Sequence, residues 1–266
     1  MKNTDRKADF HADIKMVVTD LDGTLLKDDK SISHHTQTVV DQLRNKGIIF
    51  VVATARPIRA VKKFLPQVSY DAAIFHNGAV IMDQEILLEH FGITNPRKII
   101  CNILKNNPYS KIAVESNDVM YSNFHAEEIW PGIEYIKTYD FQELEHLNAE
   151  KIIVEAHSIE EMKTIEKYIP DHLYILLSEN RIATIHNKQS SKINGIKTLA
   201  KRYGIALSQV VAFGDDYNDI DMLQSCGIGV AVKNALPEAK KAADEITESN
   251  EQDGVARWLE RYLGKL

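Results

Sequence analysis

The chain has 266 residues, 44% hydrophobic and 26% charged, with a formal net charge of −6. That length suits one large domain or two modest ones, and the apolar fraction is enough to fill a core. The acidic balance argues against a nucleic-acid or anionic-membrane surface, but it leaves room for a local basic pocket around an anion.

Met1 to Lys15 is polar rather than signal-like, and residues 1–13 read as a flexible extension. Ile14 to Thr19 is short, apolar and β-branched, as a buried strand would be. Ser33 is placed to cap a helix running to Lys46, with Val39, Val40 and Leu43 as its apolar stripe and Gly47 as its stop. Ile48 to Thr54 is a second buried strand. Pro57 then suits the first turn of a helix that would turn Ala60, Val61, Phe64 and Leu65 inward. Asp71 to His76 is a third strand, followed by Asn77-Gly78. Strands alternating with helices predict a parallel sheet with right-handed crossovers.

The rhythm then changes. Ala79 to Met82 and Ile86 to His90 flank Asp83-Gln84-Glu85 as in a hairpin. Mixed segments follow: strands such as Lys111 to Ser116, Ala149 to His157 and Ile182 to His186, and helices near Pro96 to Lys105 and Ile159 to Tyr168. Lys192 to Tyr203 is an amphipathic helix, Val210 to Phe213 a buried strand, Asp219 to Cys226 a short helix and Gly229 to Val232 a strand. Ala239 to Ala243 and Val255 to Leu263 are helical. The expected fold is α/β, a Rossmann-like parallel-sheet core over residues 14–82 and 188–266, interrupted by an α+β insertion over 83–187. The two cysteines, Cys101 and Cys226, have no metal-ligand spacing and read as reduced thiols. No apolar run reaches membrane-spanning length, so a cytoplasmic protein is expected. The histidines show no paired metal spacing, and Trp130 with the other aromatics of the insertion reads as its core.

In open parallel sheets, ligands gather beyond the carboxyl ends of the strands. Asp20, Thr54, Asn77 and Asp215 each lie at or just past such an end, so they should converge on one edge. Asp20 and Asp22 can share the work of phosphoryl transfer: one carboxylate attacks, the other moves protons, and a bridging Mg²⁺ offsets their charge. Asp-Leu-Asp-Gly is equally compatible with a plain strand-ending turn. Thr54 and the N–H of Ala55 suit an anion site or a helix cap. Arg56 could reach a substrate anion or lie on the surface. Lys192 could neutralise a transferring phosphoryl group or be a solvated lysine at a helix start. Asp215, Asn218 and Asp219 sit in an acidic cluster that a cation would relieve.

The ordered elements Asp20-Leu21-Asp22-Gly23-Thr24-Leu25-Leu26, Thr54-Ala55-Arg56-Pro57, Lys192 and Gly214-Asp215-Asp216-Tyr217-Asn218-Asp219 resemble the four motifs of the haloacid-dehalogenase-like superfamily. The insertion is similar to the cap of the Cof-type subfamily. Asn77-Gly78-Ala79, Asn234-Ala235 and Ser249 to Val255 match as well. The resemblance implies a Mg²⁺-dependent phosphatase. In it Asp20 is nucleophile and metal ligand, and Asp22 is general acid/base and metal ligand through its carbonyl. Asp215 is a metal ligand. Leu21, Thr54, Ala55, Lys192 and Asn218 bind phosphate. Arg56, Asn77, Asp219 and Asn234 stand behind these residues or meet the substrate. Ala55 and Ile193 replace glycines usual in the family, and Lys188 is the alternative for the lysine position. The partner implied is a small phosphorylated metabolite, such as a sugar phosphate or phosphorylated cofactor, acted on by a monomer or weak homo-oligomer. A phosphometabolite-binding regulator and a phosphoacceptor signalling domain are the competing readings. The intact Asp20 and Asp22 pair speaks against the first, because binding alone does not need Asp22, and the insertion and the acid/base at Asp22 speak against the second.

Overall fold

The computed structural model describes residues 13–62, 69–178 and 181–264. The expected extension, apart from Asp13, and the inward positions Phe64 and Leu65 lie outside the described residues. The chain divides into two compact units, one running to Glu89 and resuming at Ser191, the other spanning His90–Ser190.

The first unit begins with β1 (Met16–Thr19), α1 (His34–Asn45), β2 (Ile49–Ala53), α2 (Ile58–Val61), β3 (Ala72–Phe75), β4 (Val80–Asp83) and β5 (Ile86–His90). Ser33 caps α1 by accepting a hydrogen bond from the Thr36 N–H, which leaves Val39, Val40 and Leu43 buried as the sequence spacing requires. The second unit holds α3 (Pro96–Asn106), β6 (Ile112–Ser116), β7 (Val119–Ser122), β8 (Ile136–Lys137), β9 (Lys151–Glu155), α4 (Ile159–Glu166), β10 (Leu173–Ser178) and β11 (Ile182–Asn187). The first unit then resumes with α5 (Lys192–Tyr203), β12 (Val210–Gly214), α6 (Ile220–Ser225), β13 (Ile228–Ala231), α7 (Pro237–Ala242), β14 (Glu245–Ile246) and α8 (Gly254–Leu263).

The first unit is built on an eight-stranded sheet ordered β14-β13-β12-β1-β2-β3-β4-β5. From β14 to β3 every pairing is parallel, and β4 runs antiparallel to β3. Every residue of β1 and β12 is buried, which is why both read as unbroken apolar runs rather than alternating ones. One face packs on α8, where the Phe213 and Trp258 rings meet edge to face at 5.4 Å.

The second unit has its own six-stranded sheet, ordered β10-β11-β9-β6-β7-β8. Ile99, Ile100 and Ile103 of α3 pack with Phe141, Val114 and Ile152 in its core. Phe124 and Ala126 form a smaller cluster with Trp130 packed against it. Each unit therefore has a core of its own, and the insertion does not borrow its hydrophobic centre from the larger sheet. The hairpin expected at Ala79 to His90 is present as β4 and β5, but it continues the large sheet. The division between the units therefore falls after Glu89 and after Ser190, not at 82 and 187. Among the described residues no helix is long and apolar enough to cross a membrane.

Candidate active site

Four strand ends and one helix start bring the expected residues of the first unit together. Asp20 follows β1 and keeps its register, its N–H donating to the Phe213 carbonyl of β12 at 3.0 Å. The residue is 7% exposed. Lys192, the first residue of α5, is 1% exposed and reaches Asp20 Oδ1 at 2.6 Å and Asp219 Oδ1 at 2.7 Å. Lys192 is therefore the lysine that meets the acidic pair. Lys188 bonds through its N–H to the His172 carbonyl within the other unit.

Asp219 is fully buried and its oxygens are both engaged. Oδ1 accepts from Lys192, and Oδ2 accepts from the N–H groups of Asp215 and Asp216 at 2.9 and 3.1 Å. It fixes the lysine and shapes the loop after β12. Asp215 accepts from the Thr24 hydroxyl through Oδ1. Gly23 makes this approach feasible: its φ is +77°, and a Cβ there would stand 2.5 Å from Asp215 Oδ2.

Electrostatics mark the cluster as short of positive charge. Burial, reinforced by Asp219 and Asp215, lifts the Asp20 carboxyl well above its ordinary range despite the opposing Lys192 ammonium. Burial likewise pushes Asp215 up to about 6, against the hydrogen bond from Thr24. On Lys192 the two facing carboxylates outweigh burial and hold it protonated. One carboxylate oxygen from each of Asp20, Asp215 and Asp219 lies within 4.8 Å of the other two. Asp219 is committed to its protein donors, whereas Oδ2 of Asp20 and of Asp215 takes no part in the bonds above. Two hard oxygen donors in an acidic cluster fit a hard divalent cation.

Asp22 lies apart from that cluster. Arg56 grips it through two bonds, Nε to Oδ2 and Nη2 to Oδ1, the latter at 2.6 Å. Lys30 adds a contact to Oδ1 at 2.9 Å. Partial burial works to raise the Asp22 carboxyl, but these two cations hold it below its ordinary value. Of the roles open to Arg56, standing behind a site residue, meeting the substrate or lying on the surface, the structure has it paired with Asp22. Lys30 has no counterpart among the expected site residues, because it lies in the turn Lys27 to Ser31 rather than at a strand end.

The remaining residues frame the site. Thr54 is buried, its hydroxyl accepting from the Arg56 N–H at 3.1 Å. It shapes that turn, and the cap position of α2 falls to Pro57. Ala55 beside it is exposed. The Leu21 side chain is buried and its carbonyl accepts from the N–H groups of Thr24, Leu25 and Leu26, closing a tight turn. Asn218 Nδ2 donates to Asn77 Oδ1 at 2.9 Å. Asn234 Nδ2 donates to the Gly23 carbonyl at 2.7 Å, and its Oδ1 accepts from the Asn250 N–H. Asn250 in turn donates to the Leu26 carbonyl at 3.1 Å. Asn234 and Asn250 thus pin the middle and the far end of the turn that carries Asp22. Asn250 has no motif role in the sequence beyond its place in the Ser249 to Val255 match.

The sequence model of the haloacid dehalogenase-like hydrolases matches residues 17–259. A 5-amino-6-(5-phospho-D-ribitylamino)uracil phosphatase of Bacillus subtilis, YitU, is 28% identical over 93% of this chain and 97% of its own. A provisionally named phosphatase of Haemophilus influenzae is 30% identical over 92% of this chain and 97% of its own. Among solved structures, the phosphatase BT1666 of Bacteroides thetaiotaomicron superposes with a TM-score of 0.83 over 95% of this chain and 96% of its own, at 23% identity. That last likeness is one of fold.

Proposed function

The chain belongs to the haloacid dehalogenase-like hydrolase family, and from that premise we propose that it is a Mg²⁺-dependent phosphatase working through an aspartyl-phosphate on Asp20. The observation that carries this reading is the buried Asp20 carboxylate, held by Lys192 at 2.6 Å beside Asp215. The carboxylates of Asp20 and Asp215, with the Asp22 carbonyl, would hold the cation. When bound, Mg²⁺ supplies charge neutralisation between the carboxylates and the phosphate oxygens.

Asp20 attacks phosphorus, forming an Asp20 Oδ–P bond as the ester P–O bond breaks. Asp22 protonates the departing oxygen, then takes a proton from the water that cleaves the aspartyl-phosphate and frees Asp20. Lys192 offsets charge on the nucleophile and on the transferring group. The N–H groups of Leu21 and Ala55, the Thr54 hydroxyl and the Asn218 amide would cradle the phosphate. Arg56 and Lys30 orient Asp22 and favour its ionised form, the one that takes the proton from water; protonating the departing oxygen requires the carboxylic acid, formed when Asp22 takes up a proton away from these two cations. A methyl at Ala55 leaves its N–H in place, so replacing the usual glycine keeps the donor.

The substrate class that fits is a small phosphate monoester on a sugar, a sugar alcohol or a phosphorylated cofactor. The relative in Bacillus subtilis, named for a phosphorylated ribitylamino compound, supports that class. Phosphate release from p-nitrophenyl phosphate tests the reading. Release by the wild type with Mg²⁺, its loss in EDTA and its absence in Asp20→Asn are expected. Equal release by wild type and Asp20→Asn would overturn it.

A further inference from the structure

Three consecutive residues, His76, Asn77 and Gly78, hold positive φ angles of 49°, 56° and 103°. Such backbone is unfavourable outside glycine and persists where its surroundings dictate it. Here the surroundings are the site itself. The His76 N–H donates to the Arg56 carbonyl at 3.1 Å, and the Asn77 N–H to the Thr54 carbonyl at 2.9 Å. Gly78 presses on Ser191, the N-cap of α5, so closely that a Cβ would stand 2.3 Å from the Ser191 carbonyl oxygen. The turn thus braces the loop after β2 and the start of the helix that carries Lys192.

The Asn77 side chain adds a third link, accepting from Asn218 Nδ2 at 2.9 Å. A carboxamide has two N–H donors. The bond to Asn77 commits one and fixes the plane of the group, which gives the other a set direction. Asn218 Oδ1 is buried with no hydrogen-bond partner among the described residues, so its oxygen side contributes no such restraint. An orphaned buried acceptor is costly and is kept where the group's aim matters.

We propose that Asn77 is a positioning residue for phosphate binding: the strained turn holds its side chain where it aims the Asn218 amide at the phosphate. The proposal rests on the reading of Asn218 as a phosphate donor given above. It explains why a non-glycine residue occupies a left-handed position there. Asparagine tolerates that backbone and supplies the acceptor, whereas glycine supplies the backbone alone.

A double-mutant cycle tests it, with Asn77→Gly, Asn218→Ala and both together. Glycine is chosen because it suits the φ of Asn77, so the side chain is removed without backbone conflict. The cycle is read twice: as kcat and KM for p-nitrophenyl phosphate, and as the Kd of orthophosphate by calorimetry with Mg²⁺, which needs no turnover. Asn77→Gly is expected to raise KM and Kd by roughly tenfold, the scale of one hydrogen bond to a charged group, with kcat less affected. In the Asn218→Ala background the same change should move either constant less than about twofold, because the group it positions is gone. Effects that multiply would assign Asn77 a merely structural role and overturn the proposal, as would a wild type without affinity for orthophosphate. Coupling in Kd with a catalytically silent wild type would retain the proposal and discard the phosphatase reading. Multiplying effects in an active wild type would do the reverse.

Discussion

Lys192, 1% exposed, stands between two carboxylates, 2.6 Å from Asp20 and 2.7 Å from Asp219. Removing one member of a buried ion network leaves the others uncompensated, typically at about 3–5 kcal/mol. Lys192→Met, which keeps the apolar stem, should therefore lower the unfolding free energy in urea by about that much, as well as abolish phosphate release. A stability within about 0.5 kcal/mol of wild type would show that Asp20 and Asp219 do not depend on the lysine, since that is the range of an ordinary surface change. At this scale the sequence was legible where chemistry coincides with a strand end. Asp20, Thr54, Asn77 and Asp215 all follow buried apolar runs, and the sheet brings them to one edge. The partners of Asp22 were not legible. Arg56 lies 34 residues from Asp22, and only the turn after β2 aims its guanidinium there. Lys30 depends on a turn whose φ of +67° no local pattern announces.

The helix α5 delivers Lys192, and its placement depends on Gly195. A glycine inside a helix ordinarily gains up to about 1 kcal/mol on replacement by alanine. Here a Cβ would meet three side-chain carbons of Ile74 at 2.8–2.9 Å. Overpacking of that kind costs about 1–3 kcal/mol and outweighs the propensity gain. Gly195→Ala is thus expected to lower the thermal midpoint and the rate of phosphate release together, and a raised midpoint would refute the close packing of α5 on β3. In the second unit, β11 carries His186, which is buried, stacked on Tyr174 at 5.4 Å and held down to about 3 by burial and by Lys151. Its ordinary value is 6.5, so the unfolded chain takes up the proton first as pH falls. Stability from this group is present above pH 6.5 and is lost progressively toward pH 3, by at most about 1.4 kcal/mol per pH unit. His186→Phe, which keeps the stack, should flatten that part of the urea-midpoint profile. Parallel profiles for the two proteins would exclude the effect. Most helices and buried strands could be read from their periods and caps. The two-residue strands β8 and β14 could not, because so short a pairing leaves no pattern. The hairpin of β4 and β5 was visible, but its membership of the large sheet is a tertiary fact, set by β4 pairing with β3.

The whole molecule joins chemistry drawn from opposite ends of the chain: Asp20 and Lys192 are 172 residues apart, and Asp22 is tied through Asn234 and Asn250 to the last turns of the first unit. In sequence, an inserted unit with its own core separates those halves, so the packing that assembles the acidic cluster belongs to the first unit alone. One covalent bond decides the proposed mechanism. p-Nitrophenolate leaves without protonation, so Asp22→Asn should still allow transfer to Asp20 while slowing hydrolysis of the product by a factor on the order of 10² or more. Acid quenching of Asp22→Asn with p-nitrophenyl phosphate and Mg²⁺, followed by peptide mass spectrometry, reads the bond directly. One phosphoryl group on the peptide containing Asp20, absent when Asp20→Asn is added, is the expected result. Release of p-nitrophenolate with no phosphorylated peptide, or with the phosphoryl group on another residue, would contradict the mechanism.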